Sequence, residues 1–280
     1  MSRQAYYQYI DRASEYELEE ELVLQQVKLI RQRQPMIGTR KLYGMLSEFM
    51  LEHQISIGRD ALFDLLASNG MLIRRRKRKT RTTFSSPWLK YPNLIKGLEP
   101  DEANQIWVAD ITYWPIQTGY VYISLITDMY SRKIVGYHVA ENLMATNSVK
   151  ALQMALENRP IQTARHIHHS DRGIQYGAQE YVNLLQDYQV EISMSRKSDP
   201  LENAIAERVN GILKNELLAQ VNVKTIEQAQ VALKEMVEIY NQERPHSSIA
   251  LLTPEQAHIM KGKLQRDWKS YYPNKTVNPC

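Results

Sequence analysis

The chain has 280 residues, 43% hydrophobic and 24% charged, with a net charge of +4. At roughly 100–200 residues per domain, that predicts two or three folded units with true cores, and it is too apolar for a disordered protein. No apolar run approaches the ~18 residues that span a bilayer, the N-terminus lacks a basic-then-apolar secretion pattern, and the one cysteine is Cys280. The expectation is a cytoplasmic protein without membrane contact, disulfide framework or cysteine-built zinc module.

The first third reads as helical. Leu18, Leu22, Val27 and Ile30 recur at helical spacing and predict an amphipathic helix over Glu15–Gln32, ended by Pro35 and Gly38. Further helices are expected over Thr39–Leu51 and Arg59–Ser68, the last stopped by Asn69-Gly70. Three short helices with tight breaks fit a small helix-turn-helix-like DNA-binding domain, although helical bundles that bind no DNA share the pattern.

Positive charge is concentrated in one segment. Residues 1–70 carry −2, residues 71–97 carry +9 and residues 98–280 carry −3. The centre of the basic segment is Arg74, Arg75, Arg76, Lys77, Arg78, Lys79 and Arg81, seven cations in eight residues. Such a run is either a solvated linker or an arm that tracks a polyanion, and nucleic acid is the serious candidate. Residues 1–81 are therefore read as a helical DNA-binding domain with a basic arm. Residues 82–103, with Pro87, Pro92 and Pro100 and no periodicity, read as a linker.

From Asn104 the pattern changes to strands. Ile106–Trp114, Tyr120–Asp128 and Lys133–Ala140 are rich in β-branched and aromatic residues and are joined by short turns, which predicts an antiparallel meander. Next come a helix at Asn147–Glu157, a strand at Arg165–His169, a helix at Gln179–Gln186, a short strand at Val190–Ser193 and a helix at Glu202–Gln220. The order predicts an α/β, ribonuclease H-like core over residues 104–220, with a mixed five-stranded sheet and flanking helices, then a C-terminal helical extension over 221–280. Within that extension, Thr253-Pro254-Glu255-Gln256 reads as a helix start with a capping box.

Three carboxylates stand out against this frame. Asp110 interrupts an apolar strand, where a charge needs a partner or a cation. Asp171 follows a strand and precedes the Arg172-Gly173 turn. Glu207 shares a polar stripe with Asn203, Asn210 and Lys214 at i, i+4, i+7 and i+11 spacing. In a ribonuclease H-like sheet, strand one, the end of strand four and the last helix converge at one edge, so the three anions are expected to face one another. Hard oxygen ligands in that number suit Mg²⁺ or Mn²⁺, and two such ions support in-line displacement at phosphorus. Asp128, ending a strand, is the rival ligand, although a carboxylate before a turn commonly caps it through a residue such as Ser131. His166, His168 and His169 do not read as a metal cluster, because neighbouring strand residues point to opposite faces. His169 is expected beside the carboxylates or facing DNA. Seventeen tyrosines do not amount to a tyrosine recombinase, since no Arg/His/Arg/Tyr block accompanies them.

Thirty-five residues lie between Asp171 and Glu207, and the flanking text is distinctive: WVADITYW, LITDMYSRKIVGYHV, HHSDRGIQY, SMSRKSDPLENAIAERVNGILKNE and YNQERPHSSIALLTPEQA, in that order. On these blocks the chain resembles, over essentially Tyr6 to Ala257, the DDE transposases of bacterial insertion sequences, in the retroviral-integrase-like family encoded by two overlapping reading frames, as the second-frame product. The resemblance implies that Asp110, Asp171 and Glu207 are the catalytic, metal-binding triad, and that Lys214 contacts transposon-end DNA. Asn203 is expected to support them. The implied activity is metal-dependent strand cleavage and strand transfer by water and a DNA 3′-hydroxyl. The implied partners are double-stranded transposon-end and target DNA, further copies of the chain on paired ends, and the upstream-frame product. A non-catalytic DNA-binding relative and a simple ribonuclease H-type nuclease are the other readings. The second accounts for neither the N-terminal third nor the Tyr240–Ala257 block. One departure is Glu202, where the family usually has Asp.

Overall fold

A computed structural model describes residues 3–73, 91–159, 165–196 and 203–265. The chain divides into two compact units, one of residues 1–83 with 211–222 and one of residues 84–210 with 223–280.

The first unit is helical: α1 (Arg3–Arg33), α2 (Thr39–Glu52) and α3 (Arg59–Ser68). Helix α1 begins twelve residues before the expected start, because nothing between Arg3 and Ser14 breaks a helix. Leu42, Leu46 and Met50 form the buried face of α2 and meet Val23 and Val27 of α1 and Leu62, Leu65 and Leu66 of α3 in one apolar cluster. The Arg31 guanidinium donates to the Met71 carbonyl at 2.7 Å, tying α1 to the segment after α3.

The second unit is built on strands β1 (Ile106–Ile116), β2 (Gly119–Asp128), β3 (Ile134–Ala140), β4 (Ile167–Ser170) and β5 (Glu191–Met194), with α4 (Ala145–Glu157) before β4 and α5 (Gln179–Asp187) before β5. The sheet order is β3-β2-β1-β4-β5, with β1–β3 antiparallel and β4 and β5 parallel to β1. This is the ribonuclease H-like arrangement. A two-residue turn, Gln117-Thr118, joins β1 to β2, since Ile116 already pairs with Gly119. One face of the sheet packs Trp107, Ala109 and Ile126 against Ala151, Leu152 and Ala155 of α4 and Tyr181 and Leu185 of α5. Gly136 allows the close approach of α4 to β3: a Cβ there would lie 2.2 Å from the Ala151 carbonyl oxygen.

Both sheet edges are bonded to segments outside the sheet. At the β3 edge, the Asn241 side chain accepts from the Ile134 N–H at 2.9 Å and donates to the Ile134 carbonyl at 3.0 Å. At the β5 edge, Met194 N–H donates to the Pro92 carbonyl at 3.2 Å and Leu94 N–H to the Ser193 hydroxyl at 2.9 Å. Ile95, inside the stretch read as linker, is buried with Ile106 and Ile167.

Helix α6 (Ala204–Ile212) is shorter than the sequence suggests. A π-helical turn, Leu213–Leu217, and a 3₁₀ turn, Leu218–Gln220, replace its expected C-terminal half. Leu213, Leu217 and Leu218 are all buried. Helices α7 (Ile226–Gln242) and α8 (Pro254–His258) complete the unit, and α8 opens with the expected capping box at Thr253 and Gln256. No helix among the described residues is long and apolar enough to cross a membrane.

Candidate active site

Asp110 lies mid-way along β1, half-buried, with each carboxylate oxygen engaged. Oδ1 accepts from the Ile111 N–H at 2.9 Å, and Oδ2 accepts from the Asn210 side-chain amide of α6 at 2.7 Å. Four residues before Glu207, Asn203 donates to the Ala109 carbonyl at 3.1 Å, so α6 grips two successive residues of β1. Asp171 comes directly after β4, whose last residue Ser170 pairs with Ala109. This register brings Asp171 to the level of Asp110. The Asp171 carboxylate accepts from the Gly173 N–H at 2.9 Å, and a side chain on Gly173 would come 3.0 Å from that oxygen.

The electrostatics tie the three acids together. Burial pushes the Asp110 carboxyl up to about 7; the Asn210 hydrogen bond and the Ile111 N–H oppose that shift, and the charges of Asp171 and Glu207 add to it. Asp171 is also raised, by burial, against the Gly173 N–H and the Arg172 charge. Glu207 is solvent-exposed on α6. Asp171 and Glu207 thus both lie within electrostatic reach of Asp110, although among the described residues no three His, Cys, Asp or Glu side chains close around a single point as metal ligands. Beneath them Tyr176 is buried, and its phenol is raised well above its usual range by burial and by Asp171 and Asp110.

An integrase core domain matches residues 100–200, and a second integrase core domain model matches residues 188–254. The chain is 35% identical over 261 residues to the Shigella sonnei insertion element IS600 uncharacterized 31 kDa protein, covering 91% of this chain and 93% of that one. It is 30% identical to the Shigella sonnei transposase for insertion sequence element IS629, over 79% of this chain and 73% of that one. The chain belongs to the DDE transposases of insertion sequences. A solved structure of the HTLV-2 integrase catalytic core domain in complex with magnesium is 19% identical, covers 57% of the chain and 99% of its own, and has a TM-score of 0.46.

The other expected site residues of the transposase fall elsewhere. Asp128 is fully buried and turned away from metal chemistry: it accepts from Asn104 N–H at 2.7 Å, Ser131 N–H at 2.7 Å and the Ser131 hydroxyl at 2.8 Å. It is a turn cap. His168 is hydrogen-bonded to the Tyr181 hydroxyl at 2.9 Å and His169 to the Ser193 hydroxyl at 2.8 Å, both buried, so His169 has no surface to offer DNA. Lys214 sits in the π turn, beyond the α-helical stripe that carries Asn203, Glu207 and Asn210. Arg74, Arg75, Arg76, Lys77, Arg78, Lys79 and Arg81 lie outside the described residues, as does Glu202. The partner that sequence reasoning missed is Asn210, visible in the polar stripe but without a sign of what it would bind.

Proposed function

We propose that this transposase cleaves and joins DNA strands at the ends of an insertion sequence, with Asp110, Asp171 and Glu207 holding divalent ions. The observation that carries the reading is that β4 pairs with β1 so as to bring Asp171 level with Asp110, while the segment carrying Glu207 is bonded to β1 at Ala109 and Asp110, with the charges of Asp171 and Glu207 both felt at Asp110. The donor set fits a divalent cation. All three are hard oxygen ligands, and a carboxyl raised by burial and by neighbouring anions gains most from an adjacent positive charge. Two Mg²⁺ or Mn²⁺ ions held there would supply activation of the attacking oxygen and stabilisation of the leaving one. The residues themselves fix the geometry: Asn210 and the Ile111 N–H set the Asp110 carboxylate, and the Gly173 N–H sets that of Asp171. Water as nucleophile breaks a P–O3′ bond and frees a 3′-hydroxyl at the element's end, and that hydroxyl then attacks a second phosphodiester, forming a new P–O3′ bond as the attacked strand's own 3′-oxygen leaves with the proton. The basic arm from Arg74 to Arg81 and Lys214 hold the DNA backbone, and copies of the chain assemble on paired ends. The upstream-frame product belongs to the same proposal as a partner.

Asp110→Asn, Asp171→Asn and Glu207→Gln are each expected to abolish Mg²⁺-dependent cleavage of an end-containing oligonucleotide while leaving DNA retention in a gel-shift assay intact. Cleavage at the wild-type rate by any of these purified variants contradicts the assignment of that carboxylate.

A further inference from the structure

Two amides bracket Glu207, Asn210 within α6 and Asn203 immediately before it. Asn203 and Asn210 are two helical turns apart, 6% and 4% exposed, and each spends its side-chain N–H₂ on β1, at the Ala109 carbonyl and at Asp110 Oδ2. Glu207 sits between them in the helix, bonded through its N–H to the Asn203 carbonyl at 3.1 Å. A slip or rotation of α6 against β1 therefore breaks both bonds and moves Glu207 relative to Asp110 at the same time.

We propose that Asn210, seconded by Asn203, is a positioning residue that sets the register of α6 on β1 and fixes the plane of the Asp110 carboxylate for a divalent cation. The chemistry of the donor matters. A neutral amide occupies one lone-pair direction of Oδ2 and the Ile111 N–H one of Oδ1, so both oxygens keep capacity for a cation. A lysine or arginine in that place would neutralise the carboxylate and compete with the ion. An apolar side chain would leave Oδ2 buried without its donor and the carboxylate free to turn. Hydrogen-bond partners of metal ligands commonly govern affinity by about 10–100-fold, and Asn210 is such a partner. The inference rests on the metal reading proposed for the three carboxylates.

The test is a calorimetric titration of the full-length chain with Mn²⁺, without DNA, alongside a thermal melt and the oligonucleotide cleavage assay. Asn210→Leu is expected to weaken Mn²⁺ binding about 10–100-fold and to slow cleavage in parallel. In an Asp110→Asn background the same substitution is expected to cost no further Mn²⁺ affinity, because it acts through Asp110. Should Asn210→Leu fail to fold, Asn210→Ser, small and polar but too short to reach Oδ2, gives the same reading. A lowered melting temperature with wild-type Mn²⁺ affinity in the folded protein, or an equal loss with and without Asp110, overturns the inference. A wild-type chain that binds no Mn²⁺ overturns the metal reading and this inference with it.

Discussion

Asp110 has a folded-state acidity far from that of an exposed carboxylate, and the direction of the shift makes the site unstable in isolation. Because its carboxyl is raised to about 7, the folded chain holds a proton that the unfolded chain releases near pH 4. The stability contributed by that protonation is full below pH 4 and lost as pH rises through 7. Asp110→Asn should therefore melt higher than wild type at pH 7.5 without divalent ions, by on the order of 2 kcal/mol, and the gap should close at pH 4. A lower melting point for the variant at pH 7.5 would contradict this. His168 runs the other way. Burial, with the neighbouring His169, holds its ring at about 3, so the ring stays neutral in the fold while the unfolded chain takes a proton below 6.5. Stability is full above 6.5 and lost as pH falls toward 3. Relative to His168→Gln, wild type should lose about 1.4 kcal/mol per pH unit across that window in urea unfolding; a constant difference would refute the burial argument.

At the scale of elements, Gly136 decides whether α4 can lie on the sheet. A Cβ at that position meets the Ala151 backbone at 2.2 Å and the Ala155 methyl at 2.8 Å, and backbone cannot yield as a side chain can. Gly136→Val should destabilise the protein by about 1–3 kcal/mol or more, seen as a lower urea midpoint, whereas an unchanged midpoint would mean that α4 can lift freely. The strands were readable because β-branched and aromatic runs with short turns admit few other local structures, and β1, β2 and β3 fall within two residues of their expected ends. Asp110, Asp171 and Glu207 stand out in the sequence for a related reason, since each carboxylate sits in an otherwise apolar run or in a motif at fixed spacing, and their role is the proposal made above. What stayed hidden is tertiary. The π turn after Ile212 depends on where Leu213, Leu217 and Leu218 find a core, and in sequence they pass for ordinary helix. Asn210 lay on a visible polar stripe, but periodicity gives a face and never a partner.

Across the whole molecule, the Tyr240–Ala257 block acquires a structural meaning that its text did not reveal. The Tyr240 hydroxyl donates to the Arg132 carbonyl at 3.0 Å, Asn241 closes the β3 edge, and Lys133 pairs with Glu255 at 2.8 Å. His258 lies 2.9 Å from the Ser131 hydroxyl that Asp128 holds. The block therefore locks the β2–β3 turn. The net charge of +4 is a balance of the +9 segment against two acidic regions, and DNA retention should depend on the former. Replacing Arg74, Arg75, Arg76, Lys77 and Arg78 by Ala should weaken binding to all DNA sequences alike and reduce the slope of log K against log salt by about 0.9 for each phosphate that is no longer neutralised. An unchanged slope would make the segment a linker.

The proposed chemistry depends on carboxylates from β1, from the end of β4 and from α6 forming one divalent-ion site. The most direct measurement is anomalous scattering from crystals of the chain grown with end-containing DNA and Mn²⁺. Manganese density is expected against Asp110 and Asp171 with Glu207 drawn in, and it should vanish in Asp110→Asn. Manganese bound elsewhere, or absent from these three carboxylates while the DNA is bound, would contradict the assignment.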